Sequence, residues 1–301
     1  MRFVLTLIAG NPTLPIKDST LTLVRDALAS IGGRAGAPDW LDPGLACDLP
    51  FGDVPPEAAT HAIRTALDKR LLAIDVVAQP MVARRKVLLL ADMDSTIVTT
   101  ETLDELAGEA GLKERVAAIT ARSMNGEMDF REALCERVAM LAGLAESTFA
   151  GILERTVLTA GARTLVRTMA ANGAHTLLVS GGFRHFTVPI AARAGFHAEL
   201  ANSLEIRDGM LTGLLVEPIL DREGKLATLR RVAAEHGLTP ADALAVGDGA
   251  NDLAMLGEAG LAVAFHAQPV VRKAVTARID HANLTALLYL QGYRRENFVL
   301  D

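Results

Sequence analysis

Val87-Leu-Leu-Leu-Ala-Asp-Met-Asp-Ser-Thr96 is an apolar run of strand length that ends abruptly in two aspartates one residue apart. Alternate residues of a strand share a face. Because the strand is ending, Asp92 and Asp94 can both turn toward one point at its C-terminal edge. Two carboxylates that close repel each other unless a cation or a proton lies between them. Oxygen ligands of this kind suit a hard ion such as Mg²⁺. If that ion also holds a phosphate, one carboxylate can attack phosphorus while the other handles the proton.

Outward from this stretch the chain alternates strand and helix. Strands are expected at 87–91, 176–179, 243–246, 261–264 and 277–280, which describes an α/β fold with a Rossmann-like parallel sheet. Ser180-Gly-Gly182 follows the run Thr176 to Val179, and Gly247-Asp-Gly-Ala-Asn-Asp252 follows Ala243 to Val246. Sites in open α/β sheets form beyond the carboxyl ends of the strands, so these two motifs converge on Asp92 and Asp94. Residues 102–157 carry helical periodicity with few breakers. An insertion directly after a strand cannot lie in the sheet, and it is expected to stand over the strand ends as a cap. Arg207-Asp-Gly-Met210, between alternating runs, signals a hairpin within 203–216.

Ahead of the first motif the pattern is that of a separate domain over residues 1–80, joined by a linker at 81–86 to a domain at 87–301. A strand at 3–9, a helix at 18–31, two short strands around Asp42-Pro-Gly44, a helix at 55–70 opened by Pro55-Pro56, and a strand from Ile74 give the order β-α-β-β-α-β. That order is a ferredoxin-like α+β sandwich. The apolar N-terminal stretch reads as its first strand rather than as a signal peptide, having no small-residue cleavage site.

The 301 residues carry a net charge of −6 and are 50% hydrophobic with few aromatics. No basic cluster extends beyond Arg84-Arg-Lys86, so a nucleic-acid partner is not expected. No run is long enough to span a membrane. Cys47 and Cys135 read as two reduced, buried thiols of a cytoplasmic protein. The seven histidines are scattered without metal-ligand spacing. Trp40 reads as a packing residue, and the apolar positions of Leu287 to Val299 read as a tail packed on the core or on a partner subunit.

The string Asp92-Met-Asp-Ser-Thr96 resembles the first motif of the haloacid dehalogenase (HAD) superfamily, and its Ser-Thr ending resembles the phosphoserine phosphatases within it. Ser180-Gly-Gly182, Lys225 just past Asp221-Arg-Glu-Gly, and Gly247 to Asp252 follow in the order that the family requires. The resemblance runs from about residue 85 onward. It implies an HAD-type core with a helical cap and Mg²⁺-dependent hydrolysis of O-phospho-L-serine through a phospho-Asp92 intermediate, the last step of serine biosynthesis. The N-terminal order is similar to a divergent ACT-type module. Asn11-Pro12 replaces the acidic residue common after the glycine turn of such modules, which favours a structural or dimerising role, a homodimer through this domain included.

The expected roles then follow from the chemistry of each residue together with the resemblance. Asp92 is the nucleophile, since a carboxylate can carry a phosphoryl group and divide hydrolysis into two steps. Asp94 is the general acid and then the general base. Ser180 and the Gly181 amide bind phosphate oxygens, and Lys225 spreads their charge. Asp92, Asp94 (through its main-chain carbonyl) and Asp248 hold Mg²⁺, with Asn251 reaching the phosphate. Asp252 orients metal-bound water or the Lys225 ammonium. In the cap, Glu101 matches the family position that meets the substrate ammonium. Arg137 matches the arginine that grips its carboxylate, for which a guanidinium fork is suited. Met124 and Phe130 match the apolar wall. Two other readings stay open: a relative acting on, or transferring phosphate from, a different small ester, and an amino-acid-binding regulatory protein.

Overall fold

The computed structural model describes residues 2–300 as two packed units. In the first, β1 (Phe3–Ala9) is the centre of an antiparallel sheet. After α1 (Asp18–Ser30) come β2 (Arg34–Ala35), β3 (Asp39–Asp42) and β4 (Ala46–Gly52), then α2 (Pro56–Asp68) and β5 (Ile74–Pro80). The strand order is β2-β4-β1-β5, with β3 paired to β4 across the turn at Gly44. Alternation along β1 sorts its two faces. Leu5, Leu7 and Ala9 pack under α1 and α2, whereas Ile8 joins the core of the second unit. Trp40 packs at the edge of the first core.

The second unit is built on a seven-stranded sheet with the order β12-β11-β10-β6-β7-β8-β9. The strand that opened the sequence reading is β6 (Leu88–Ala91) and lies in its middle. Leu89 and Ala91 face one core, Leu88 and Leu90 the other, so the strand is apolar throughout. It pairs in parallel with β7 (His175–Phe183) and β10 (Ala243–Gly247). β8 (Ala198–Arg207) is parallel to β7, and the Asp208-Gly209 turn, left-handed at both residues, folds β9 (Met210–Val216) back antiparallel. β11 (Leu261–Phe265) and β12 (Ala277–Ile279) complete the other edge.

Four helices separate β6 from β7 before the core helix α7 (Ala162–Ala171): α3 (Thr102–Glu109), α4 (Lys113–Met124), α5 (Phe130–Ala139) and α6 (Thr148–Arg155). They stand over the carboxyl ends of the strands as the expected cap. The chain leaves and re-enters the core at one place, where Val98 and Leu158 form an antiparallel bridge. Helices α8 (Arg184–Ala194), α9 (Arg222–Glu235), α10 (Leu253–Glu258), α11 (Pro269–Ala274) and α12 (Ala286–Leu290) complete the unit. Among the described residues no helix is long and apolar enough to cross a membrane.

Buried polar contacts clamp the two units together. Arg84 donates to Asp48 at 2.6 Å, to Thr6 Oγ1 at 3.1 Å and to the Leu290 carbonyl at 3.1 Å. The Asp75 carboxylate accepts the backbone N–H groups of Asp280, His281 and Ala282. Residues 286–298 therefore pack between the units, with Tyr289 donating to Asp42 at 2.7 Å. A Cβ on Gly10 would lie 2.4 Å from that of His281, so the glycine turn after β1 faces the second unit rather than an open ligand site.

Two expectations need correction. Cys135 is exposed, because it lies on the outward face of α5, whereas Cys47 is buried as expected. Ser180-Gly-Gly182 does not follow its strand but lies within β7, which runs on to Phe183 before α8 begins at Arg184. The pairing with β8 shifts register between Ser180 and Phe183, so the glycines bend the strand end without terminating it.

Candidate active site

Asp92 directly follows β6, and its Oδ1 accepts the Met93 N–H at 2.8 Å. Lys225, on the first turn of α9, is fully buried and places Nζ 2.7 Å from Asp92 Oδ1 and 2.7 Å from Asp252 Oδ1. Asp252 also accepts the Gly249 N–H at 3.2 Å, so both of its oxygens are engaged. Asp248 follows β10, and its Oδ1 accepts the Thr96 hydroxyl at 3.0 Å. Gly247 has to be glycine here, since a Cβ would meet the Asp252 carboxylate at 2.2 Å.

Carboxylate oxygens of Asp92, Asp248 and Asp252 lie within 4.8 Å of one another, all buried. Oδ2 of Asp92 and Oδ2 of Asp248 are the two oxygens of this group that accept no protein hydrogen bond among the described residues. The side-chain Oδ1 of Asn251, on the same turn as Asp252, is buried without a partner among the described residues. An all-oxygen donor set with three negative charges against one ammonium fits a hard divalent cation. Asp94 does not join this cluster with its carboxylate. Its Oδ1 accepts the Thr102 N–H at 2.9 Å, and its Oδ2 lies where a Cβ on Gly182 would be 2.8 Å away.

Burial governs the charges. It pushes Asp92 up to about 7, helped by Asp252 and opposed by Lys225. Asp94 is likewise pushed up to about 7, mainly by burial, against the Thr102 N–H that favours its ionised form. Asp248 is raised by burial and then by the charges of Glu101 and Asp92. For Lys225 burial acts to lower the pKa, but Asp252 and Asp92 more than reverse it and hold the ammonium charged.

Above this floor the cap closes. Asp92, Asp94, Ser180, Gly181 and Asn251 of the core and Glu101, Met124, Phe130 and Arg137 of the cap line one cavity. Lys225, Asp248 and Asp252 support its floor. The cavity measures about 20 Å³, room for about one water molecule. Phe130 fills the space over Gly181, where a Cβ would meet its ring at 2.5 Å, and Met124 sits as close over Gly249. Glu101 accepts the Ser95 hydroxyl at 2.5 Å, an approach made by the left-handed backbone of Ser95. Burial and the Asp94 charge push Glu101 up to about 8. Arg137 is buried, which lowers its pKa against the charges of Asp104, Glu101 and Asp94.

All twelve residues expected from the sequence therefore lie at one place. Three supporting residues were not expected. Thr96 holds Asp248, and its place in Asp92-Met-Asp-Ser-Thr96 was the available signal. Asn202 donates to the carbonyls of Gly181 and Leu220 and accepts the Leu220 N–H, tying the β7 end to the segment that carries Lys225. Thr120 accepts from Arg137. Neither Asn202 nor Thr120 stands in a local pattern.

Residues 89–257 match the model of the haloacid dehalogenase-like hydrolase family. The chain is similar to a phosphoserine phosphatase of Streptomyces coelicolor, with 44% identity over 79% of this chain and 59% of that one. The chain thus spans about three-fifths of the length of that curated relative. A crystal structure of an HAD family hydrolase from Salmonella enterica serovar Typhi superposes with a TM-score of 0.82 at 28% identity, covering 96% of this chain and 97% of that one. A phospho-aspartyl intermediate analogue of phosphoserine phosphatase superposes with a TM-score of 0.66 at 36% identity, covering 68% of this chain and 98% of that one. With the family model matched over more than half its length, the chain belongs to the haloacid dehalogenase-like hydrolases.

Proposed function

We propose that this protein is a Mg²⁺-dependent phosphatase that hydrolyses O-phospho-L-serine to L-serine and phosphate through a phospho-Asp92 intermediate. The observation that carries the reading is the pairing of Glu101 with Arg137 in the same closed cavity as Asp92 and Ser180. An acid for the ammonium, a guanidinium for the carboxylate and a phosphate-binding floor describe a phosphorylated amino acid. The similarity to phosphoserine phosphatases supports the same substrate.

In this account Ser180 and the Gly181 amide hold the phosphate oxygens and Lys225 spreads their charge. Met124 and Phe130 wall the serine, and Asn251 reaches the phosphate. An Asp92 oxygen attacks phosphorus, and the bond from phosphorus to the serine oxygen breaks. Asp94 gives its proton to that leaving oxygen. Asp94 then takes a proton from water, the water oxygen attacks phosphorus, and the bond to Asp92 breaks to release phosphate. Asp92 and Asp248, with the Asp94 main-chain carbonyl, would hold the cation, which supplies charge neutralisation between the carboxylates and the phosphate. Asp252 keeps the Lys225 ammonium in place.

A cavity of about 20 Å³ does not admit phosphoserine, so the cap swings open for binding and release, with the Val98–Leu158 bridge as its root. The experiment is phosphate release from phosphoserine beside sugar, nucleotide and two-carbon phosphates, with Mg²⁺ and with chelator. Preference for phosphoserine that chelator abolishes is expected. Metal-dependent activity on another ester would discard the roles of Glu101 and Arg137.

A further inference from the structure

Arg137 reaches the cavity with its guanidinium already held. Nε donates to the Ala133 carbonyl at 3.0 Å, one turn back in α5, and Nη1 donates to Thr120 Oγ1 at 2.9 Å. Two of its five N–H groups are so engaged, and the side chain lines the cavity beside Glu101. The Thr120 hydroxyl donates to Asp104 Oδ1 at 2.6 Å. All three side chains are buried. They come from three different cap helices: Asp104 from α3, Thr120 from α4 and Arg137 from α5.

A hydroxyl has one proton and two lone pairs. The Thr120 oxygen also lies 3.1 Å from the Val116 carbonyl, but the shorter, charge-assisted bond to Asp104 takes the proton and leaves a lone pair for Arg137. The carboxylate, hydroxyl and guanidinium therefore stand in series, with the threonine between opposite charges. Without it, a buried cation and a buried anion would seek each other directly, because each is costly to leave unpaired. That pairing would draw the guanidinium off the cavity and spend the N–H groups a substrate needs.

We propose that Thr120 is a positioning residue: by standing between Asp104 and Arg137 it keeps the outer N–H groups of Arg137 turned into the cavity, and so sets the preference for substrates that carry a carboxylate. This deepens the phosphoserine reading and rests on it.

The test compares kcat/KM for O-phospho-L-serine with that for O-phosphoethanolamine, which keeps the ammonium and the phosphate but lacks the carboxylate. In Thr120→Val the ratio is expected to fall about tenfold or more, chiefly through KM for phosphoserine, the scale of a lost hydrogen bond to a charged group. Thr120→Ser, which restores the hydroxyl, should keep the wild-type ratio. Adding Asp104→Asn to Thr120→Val should recover part of the ratio, because the neutral amide no longer competes for Arg137. A residue that merely glued the cap would instead lose further when the second contact was weakened. An unchanged ratio in Thr120→Val, or a deeper loss in the double variant, would overturn the proposal. A wild-type enzyme with no preference between the two esters would sink the substrate assignment itself, and this role with it.

Discussion

Lys225 Nζ lies 2.7 Å from Asp92 Oδ1, and both side chains are almost wholly buried. The same ammonium lies 2.7 Å from Asp252, so one cation holds two carboxylates at the foot of the cavity. This arrangement fixes Asp92 in place, and it makes the protein's stability depend on the site.

Removing the ammonium should therefore cost more than activity. In Lys225→Ala two buried carboxylates lose their counter-charge, and breaking a buried pair in this way costs about 3–5 kcal/mol. Urea unfolding of the metal-free variant should show that loss, alongside a fall in turnover of roughly 10²-fold or more. Stability equal to wild type would mean that the pair is not closed in solution.

The crowding of Asp92, Asp94, Glu101 and Asp248 also predicts a pH dependence for the metal-free protein. Asp92 and Asp94 are pushed up to about 7 and Glu101 up to about 8, with burial as the first cause. Their unfolded values lie near 4 on the scale of about 3.9 to 4.3 for free carboxyls. Over the window between, the folded state binds more protons than the unfolded one, so stability rises as pH falls. The Tm should increase from about pH 8 to about pH 6, and added Mg²⁺ should raise it more at the higher pH, where protons compete less. The opposite slope without metal would contradict the packing of these acids.

Gly181 and Phe130 predict a steric coupling. A Cβ on Gly181 would meet the Phe130 ring at 2.5 Å, so Gly181→Ala should hold the cap from closing. Its kcat/KM should fall sharply, and Phe130→Ala should cost much less in the Gly181→Ala background than alone. A double-mutant cycle measures this; additive losses would place Phe130 elsewhere in the closed state.

Arg84 predicts a long-range stability effect with no part in the chemistry. Arg84→Ala leaves Asp48 buried and unpaired at the seam between the two units, at a cost of about 3–5 kcal/mol. Denaturant unfolding should report it, while the folded variant keeps its KM for substrate.

Much of this was legible in the sequence, for identifiable reasons. The run Leu88–Ala91 is apolar at every position because β6 is buried on both faces, and its abrupt end placed Asp92 and Asp94. The helical period of 102–157 and its place after β6 determined the cap. Less legible were features set by register or by distant contacts. The bulge that keeps Ser180-Gly-Gly182 inside β7 depends on pairing with β8. Asn202 and Thr120 act on residues far along the chain, and the exposure of Cys135 depends on which face of α5 the cap turns inward. Asp252, not the carboxylate of Asp94, completes the acidic cluster, because the turn after Asp248 folds its carboxylate back against Gly247 and the Gly249 N–H.

The most direct measurement is acid quenching of the enzyme during turnover of O-phospho-L-serine with Mg²⁺, followed by peptide mass spectrometry. The account predicts one added phosphoryl group on the peptide holding Asp92, absent in Asp92→Asn, which should fold normally and not turn over. A phosphoryl group on another residue, or sustained turnover by Asp92→Asn, would contradict it.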